Sequence, residues 1–133
     1  MARALTVDTS FFIDLERERR QGDRGAAHRF LAREPDSGLS LAATVLGELA
    51  EAYGDPGHPA LWAIRKSHRI LPLDENVALA YAALAGENRG SGVPIGCNDL
   101  WIAATSLHHR LPLLTADVER FAQVRGLELV AYR

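Results

Sequence analysis

Two hydrophobic patterns alternate along the chain. Short apolar runs, typical of buried strands, are followed by longer stretches in which apolar residues recur every three or four positions, as Phe11, Phe12 and Leu15 do. Polar clusters rich in glycine or proline, such as "RQGDRG" and "GDPGHP", separate these stretches. The predicted strands are residues 4–7, 38–40, 69–73, 112–115 and 127–132, and the predicted helices are residues 9–18, 26–34, 42–53, 60–68, 75–90, 98–109 and 117–121.

This alternation of strands and helices predicts an α/β fold. Each strand except the last leads into a helix, which is the order that builds a parallel sheet with helices on both faces. We therefore expect a three-layer α/β/α architecture around a central parallel sheet. No repeat, linker or low-complexity segment interrupts the pattern, so residues 1–133 are predicted to form a single domain.

Composition and charge exclude several classes of protein. The chain has 133 residues, of which 47% are hydrophobic, so it is large enough to bury a core. Its 15 lysine and arginine residues against 17 acidic residues leave no global basic field, so nucleic-acid binding would require a local basic patch. Cys97 is the single cysteine, which excludes an internal disulfide and a thiolate metal cluster. Because no stretch fits a signal peptide or a membrane span, we expect a soluble, cytoplasmic protein.

Four acidic residues fall at the ends of apolar elements or within them. Asp8 directly follows the first predicted strand, and Asp117 follows the fourth by two residues. Ligands of an open parallel sheet bind at the carboxyl ends of its strands, so both carboxylates should lie on the same rim. Asp99 lies in the first turn of an apolar helix, and Glu48 lies in the middle of another. The joint placement of these acids predicts a site at this rim.

Each acid also has a purely structural interpretation. Asp8 and Asp117 could cap the helices that follow them, since aspartate is a good cap. Asp99 could be favoured by the helix dipole alone, and Glu48 could be exposed to solvent if the helix is rotated from its predicted phase.

Polar residues beside these acids are predicted helix caps. Thr9 or Ser10 is expected to cap the first helix, because a hydroxyl just before the first turn accepts an orphan backbone N–H. Asn98 is expected to cap the helix that carries Asp99.

Carboxylates brought together at one rim repel each other unless a cation neutralises them. Hard oxygen ligands select Mg²⁺ or Mn²⁺, and such ions keep several waters that a substrate phosphate can replace. One or two such ions can activate a water molecule and stabilise the leaving oxygen of a phosphodiester. The rim therefore predicts metal-assisted hydrolysis of a phosphate ester.

Four segments of the sequence resemble one known family. They are "VDTS" at 7–10, "TVLGELAEA" at 44–52, "IGCNDLWIAATSL" at 95–107 and "LLTADVERF" at 113–121, which together resemble the PIN-domain ribonucleases, and most closely the VapC toxins of bacterial toxin–antitoxin pairs. The likeness spans nearly the whole chain in the same order and spacing. Its most specific part is "IGCNDLWIAA" at 95–104 followed by "LLTAD" at 113–117.

The resemblance assigns roles to individual residues. Asp8 and Asp99 match the usual direct ligands of a magnesium or manganese ion. Glu48 and Asp117 match acids that act through water or a second ion. Ser10 and Thr115 match hydroxyl residues that support the acids by hydrogen bonding.

The resemblance also implies an activity and partners. It implies an endoribonuclease that cuts single-stranded segments of structured RNA and leaves a 5′-phosphate and a 3′-hydroxyl. It further implies a homodimer and a small VapB-like antitoxin whose C-terminal segment covers the active site.

Two other interpretations of the sequence stay open. The chain could be a PIN-type module that binds without turnover, although an intact set of four acids argues against this. It could also be a doubly wound phosphohydrolase with Asp8 as nucleophile. That enzyme would need a second acid two residues later, where Ser10 stands, or a lysine near the strand ends, whereas Lys66 lies within a predicted helix.

Overall fold

Five parallel strands, in the order β3-β2-β1-β4-β5, form the central sheet of the protein. The computed structural model describes residues 3–90, 92 and 94–133. Within them the strands are β1 (Ala4–Val7), β2 (Gly38–Ala42), β3 (Arg69–Leu71), β4 (Leu113–Thr115) and β5 (Leu129–Ala131). The helices are α1 (Thr9–Gln21), α2 (Ala26–Arg33), α3 (Ala43–Tyr53), α4 (Pro59–Ser67), α5 (Glu75–Arg89), α6 (Cys97–His108) and α7 (Val118–Phe121).

The central strand β1 lies where the chain changes direction across the sheet. After β1 the chain builds β2 and β3 on one side, and it later returns to place β4 and β5 on the other. Val7 of β1 pairs with Leu114 of β4, and the backbone N–H of Asp8 donates to the carbonyl of Leu114 at 2.9 Å. The carboxyl ends of β1 and β4 therefore lie side by side, at the position where open α/β sheets leave a crevice for ligands.

Within the part of the chain that the structure describes, one hydrophobic cluster holds the helices against this sheet. The strands contribute buried residues such as Leu5, Leu41 and Leu113, each 0% exposed. Phe11 of α1 meets Phe30 of α2 and Tyr132 near the C-terminus edge to face, with ring centroids 5.9 Å and 5.0 Å apart. Such aromatic contacts fix the relative positions of α1 and α2, and therefore of the loop between β1 and α1.

The structure confirms the predicted α/β fold with a central parallel sheet. All five strands and seven helices predicted from the sequence occur within the described residues, with small shifts at their ends. Strand β2 runs two residues further than predicted, to Ala42. Strand β3 ends at Leu71 because Pro72 has no backbone N–H to donate to the sheet.

Two of the predicted helix caps are wrong. The N-cap of α1 is Asp8, whose carboxylate accepts from the N–H of Thr9, while Thr9 and Ser10 are the first residues of the helix. The N-cap of α6 is Gly96, which offers no side-chain cap, and Asn98 lies within the first turn. The polar side chains next to the acids are consequently available for contacts other than capping.

None of the helices in the described part of the chain is both long enough and apolar enough to cross a lipid bilayer.

Candidate active site

Asp8 lies at the centre of the rim, buried by the elements on either side. It follows β1 directly, caps α1 and is only 2% exposed. Its Oδ1 accepts from the N–H of Thr9 at 2.8 Å, and its Oδ2 accepts from the hydroxyl of Thr115 at 2.8 Å. The Ser10 hydroxyl lies further from Oδ2, at 3.4 Å. These donors offset much of the cost of burying a carboxylate and fix its orientation.

Thr115 joins Asp8 to Asp117. It ends β4, is 0% exposed, and its hydroxyl oxygen accepts from the backbone N–H of Asp117 at 3.0 Å while its hydrogen is donated to Asp8. Asp117 itself caps the short helix α7, since its Oδ1 accepts from the N–H of Arg120 at 3.3 Å. The structural interpretation of Asp117 as a cap is therefore correct, but its Oδ2 still faces the rim, as its contact with the Arg120 side chain shows.

Asp99 reaches the same rim from the first turn of α6. Its side chain is 19% exposed, and burial is the main reason that its pKa lies above the ordinary aspartate value. The nearby positive charge of Arg120 lowers that pKa, but the negative charges of Asp8, Glu48 and Asp117 raise it again. Burial and the neighbouring carboxylates therefore both favour the neutral form of Asp99, and Arg120 opposes them.

Glu48 lies beside this group on α3, half-buried. Its Oε1 accepts from the hydroxyl of Thr9 at 2.7 Å, so a single residue, Thr9, donates its N–H to Asp8 and its hydroxyl to Glu48. The sequence predicted Thr9 only as a possible cap. Its position next to Asp8 was the available signal, because a hydroxyl in the first turn of a helix can turn towards a neighbouring element.

Arg120 is a site residue that the sequence analysis missed. Its guanidinium approaches Asp8 at 3.2 Å through Nη2, and its Nε lies 3.2 Å from Asp99 and 3.5 Å from Asp117. Arg120 stands three residues after Asp117, and this spacing predicts only a contact between those two side chains within one helical turn. Its contacts with Asp8 and Asp99 depend on how α7 packs near α6 and the end of β1. Such packing between distant segments cannot be predicted from spacing in the sequence.

The rim acids have the donor chemistry of a site for a hard divalent cation. Three carboxylates surround one cationic group, and oxygen donors of this kind suit Mg²⁺ or Mn²⁺. Within residues 3–90, 92 and 94–133, however, no three acidic, histidine or cysteine side chains are grouped closely enough to hold a metal ion as they stand. The residues therefore fit a metal in chemistry, and in this structure the guanidinium of Arg120 lies among them.

The structure thus brings the predicted residues together at one rim. Asp8, Asp99 and Asp117 share Arg120, Thr115 bonds Asp8, and Glu48 is tied to the same turn through Thr9. The Ser10 hydroxyl also reaches Asp8, but only at 3.4 Å. The chemical roles of these residues stay predictions.

Known proteins resemble this chain in both sequence and structure. The sequence model of the PIN domain matches residues 5–127. Ribonuclease VapC4 of Mycobacterium tuberculosis is 31% identical over 130 residues, which cover 96% of this chain and 96% of that protein.

Solved structures of toxin–antitoxin proteins share the fold. VapBC-1 from nontypeable Haemophilus influenzae superposes with a TM-score of 0.79 at 26% identity and covers 97% of this chain and 98% of that chain. VapBC-5 from M. tuberculosis, described as a member of the VapBC family of toxin–antitoxin systems, gives a TM-score of 0.66 at 26% identity, covering 98% of each chain. The likeness therefore extends from end to end in both sequence and fold.

Proposed function

Because the chain belongs to the PIN-domain family and, within it, to the VapC-type ribonucleases, we propose that it is a metal-dependent endoribonuclease and the toxin of a toxin–antitoxin pair. The arrangement of the acidic side chains supports the proposal independently of family membership. Asp8, Asp99 and Asp117 converge within 3.5 Å of one cationic group, with Glu48 on the adjoining turn. A carboxylate cluster of this kind at a strand rim suits phosphodiester hydrolysis.

Each acid has a distinct part in the proposed site. Asp8 and Asp99 would bind Mg²⁺ or Mn²⁺ directly, and Asp117 and Glu48 would act through water or a second ion. Thr115 orients Asp8, because its hydroxyl donates to Asp8 Oδ2. The bound metal would supply an activated water and charge stabilisation for the leaving oxygen.

Glu48 and Asp8 would have separate roles in the hydrolysis. Water would attack the phosphorus in line with the leaving 3′-oxygen, which takes a proton from solvent, so that a 5′-phosphate and a 3′-hydroxyl result. Glu48 holds one oxygen, Oε1, on the Thr9 hydroxyl, and its Oε2 would accept a proton from the attacking water. Asp8 is fixed by its donors on both oxygens, so it can hold its position while the phosphate changes shape.

An apolar groove offers a surface for the antitoxin. It has a volume of about 550 Å³ and lies among α1, α2, α3 and α4, with Phe12, Leu15, Leu31 and Ile64 in its lining. We propose that a small VapB-like antitoxin buries an apolar segment here, since the structural relatives are VapBC complexes. Such a segment would bury the groove lining away from water, which is the main source of affinity in helix-in-groove recognition.

The antitoxin surface is testable with a charge placed in the groove. Ala63→Glu adds a carboxylate to an exposed position of α4 in the lining, and Ala83→Glu adds the same charge to an exposed position of α5 outside it. Co-expression with the short open reading frame next to the gene, followed by co-purification, should show loss of the partner with Ala63→Glu only. Equal retention in both variants would refute this surface.

Further parts of the proposal concern the form of the protein. We propose a homodimer, a cytoplasmic location, and a single PIN domain over residues 1–133. One sheet and one hydrophobic cluster in the described residues support the single domain. Family membership supports the dimer and the location.

RNA cleavage tests the proposed activity. The protein, freed of any antitoxin by denaturation and refolding, is incubated with total cellular RNA in Mg²⁺, in Mn²⁺ and in EDTA. Asp8→Asn and Asp99→Asn should lower the cleavage rate by at least about 100-fold, whereas Asp36→Asn, at an exposed turn, should not.

The outcomes separate the interpretations. Discrete fragments with 5′-phosphate ends that require metal and both acids support the nuclease. Cleavage that survives EDTA or Asp8→Asn would overturn it. Folded, metal-binding protein that binds RNA but cuts none would favour the binding module.

A further inference from the structure

Arg120 occupies the position that the proposed site needs for a cation. Its guanidinium contacts Asp8, Asp99 and Asp117 at 3.2–3.5 Å and is the charged group that these acids share. A metal ion bound by Asp8 and Asp99 would lie between the same two carboxylates. Both cations cannot lie there together, because they would overlap and repel each other.

We infer that Arg120 is a built-in counter-ion that neutralises the acids of the metal-free protein and has to leave them when a metal ion binds. The inference rests on the proposed metal site. It makes metal binding an exchange of one cation for another, so that the arginine weakens the affinity for metal while it stabilises the metal-free fold.

The side chain of Arg120 is able to leave without disturbing the core. It is 40% exposed, whereas the next residue, Phe121, is 0% exposed and anchors α7 to the core. The guanidinium lies 5.0 Å from the Phe121 ring centroid, so a new rotamer moves the guanidinium while the buried ring stays in the core. An open groove of about 710 Å³, lined by Pro94, Gly96, Asp117 and Arg120 itself among others, provides room for a different rotamer.

Asp8 and Asp117, in contrast, keep other hydrogen bonds when the arginine moves. Asp8 keeps its donors from Thr9 and Thr115, and Asp117 keeps its bond from the backbone N–H of Arg120. Asp8 and Asp117 therefore stay oriented while an ion of smaller radius than a guanidinium takes the place of the arginine.

Two variants of Arg120 and a matched control test the exchange. Arg120→Gln removes the charge and keeps a polar group of similar reach, and Arg120→Lys keeps the charge. Arg65→Gln removes an exposed arginine from α4, away from the acids. Each protein is titrated with Mn²⁺ by calorimetry, without RNA, and its thermal unfolding is followed by circular dichroism with and without Mn²⁺.

The expected result is a change in opposite directions for affinity and for stability without metal. Partly exposed ion pairs are individually weak, so Arg120→Gln should bind Mn²⁺ about three- to tenfold more tightly than wild type. Without metal it should unfold at a lower temperature, and Mn²⁺ should raise its Tm by more than it raises that of wild type. Arg120→Lys should lie nearer to wild type, and Arg65→Gln should match it.

Other results would overturn the inference. If Arg120→Gln binds Mn²⁺ with equal or lower affinity than wild type, while wild type binds metal and cuts RNA, the inference fails and the proposed function stands. An equal gain in Arg65→Gln would reduce the effect to net charge and refute the exchange. If no protein binds Mn²⁺, the metal site of the proposed function fails, and the inference fails with it.

Discussion

Thr115 should be the most informative single position for the link between stability and activity. Its hydroxyl donates to Asp8 at 2.8 Å and accepts from the N–H of Asp117 at 3.0 Å, and the side chain is 0% exposed. Thr115→Val keeps the shape and replaces the hydroxyl by a methyl group. The variant therefore removes two hydrogen bonds at the rim without leaving a cavity.

The cost is set mainly by Asp8. A hydrogen bond to a charged group contributes about 1.5–3 kcal/mol, and Asp8 is 2% exposed, so water cannot replace the lost donor well. Asp117 is more exposed, and its N–H can bond water at little cost. We expect the free energy of unfolding to fall by about 1.5–3 kcal/mol, which for a domain of this size is a Tm lower by roughly 5–15 °C.

Thr115→Ser provides the matched comparison. It keeps both hydrogen bonds and loses only a buried methyl group, at a cost of about 1 kcal/mol. Urea unfolding of the metal-free proteins measures the stabilities, and RNA cleavage in saturating Mn²⁺ measures the rates. Thr115→Val should cut RNA at least about tenfold more slowly than wild type, because Asp8 loses its orientation, while Thr115→Ser should stay within about threefold of the wild-type rate.

The comparison has a clear failing outcome. If Thr115→Val is as stable as wild type and cuts RNA as fast, the hydroxyl neither stabilises nor orients Asp8. If both variants lose activity equally, the methyl group and not the hydrogen bond is what the site requires.

Three further predictions concern the scaffold. Gly25→Ala would place its Cβ 2.4 Å from Glu18, whose carboxylate is held by the first N–H groups of α2, so we expect urea unfolding to show a loss of about 1–3 kcal/mol; an unchanged stability would contradict this. Gly47→Ala meets nothing within 4 Å inside α3 and should instead raise stability by up to about 1 kcal/mol in the same assay, which makes it the control. Burial, and then the hydrogen bond to Asp14, raise the pKa of Tyr132 to about 12, so its contribution is complete below about pH 10, the ordinary tyrosine value, and is lost as the pH rises through 12. Wild type should lose about 2 kcal/mol more than Tyr132→Phe between pH 9.5 and 12, and parallel losses would refute the assignment.

The order of elements was predictable because hydrophobic period and turn residues both mark it. Strands and helices alternate in the sequence as they do in the structure, and the fold class follows from that alternation. The position of Asp8 and Asp117 on one rim followed from the same logic, since carboxyl ends of parallel strands share an edge. The local sequence pattern was therefore enough to place a residue wherever its position depended only on the strand or helix that carries it.

Details that depend on contacts between distant segments were not predictable. The cap of α1 could have been Asp8, Thr9 or Ser10, because all three are good caps and the choice depends on where the strand ends. Arg120 lies 112 positions from Asp8 in sequence, and their ion pair forms only because β4 places α7 beside the end of β1. Sequence pattern gives no measure of such a distance.

The proposed site combines fixed anions with a replaceable cation. Asp8 is fixed because its donors come from α1 and from β4, and both elements are anchored in the core by residues such as Phe11 and Leu114. Arg120 is attached through a long side chain that is 40% exposed. A site of this kind loses little conformational entropy when a metal ion replaces the arginine, because the ligands are already oriented before the exchange. The affinity for Mn²⁺ and the accompanying change in stability should therefore respond to Arg120 far more than to any other arginine of the chain.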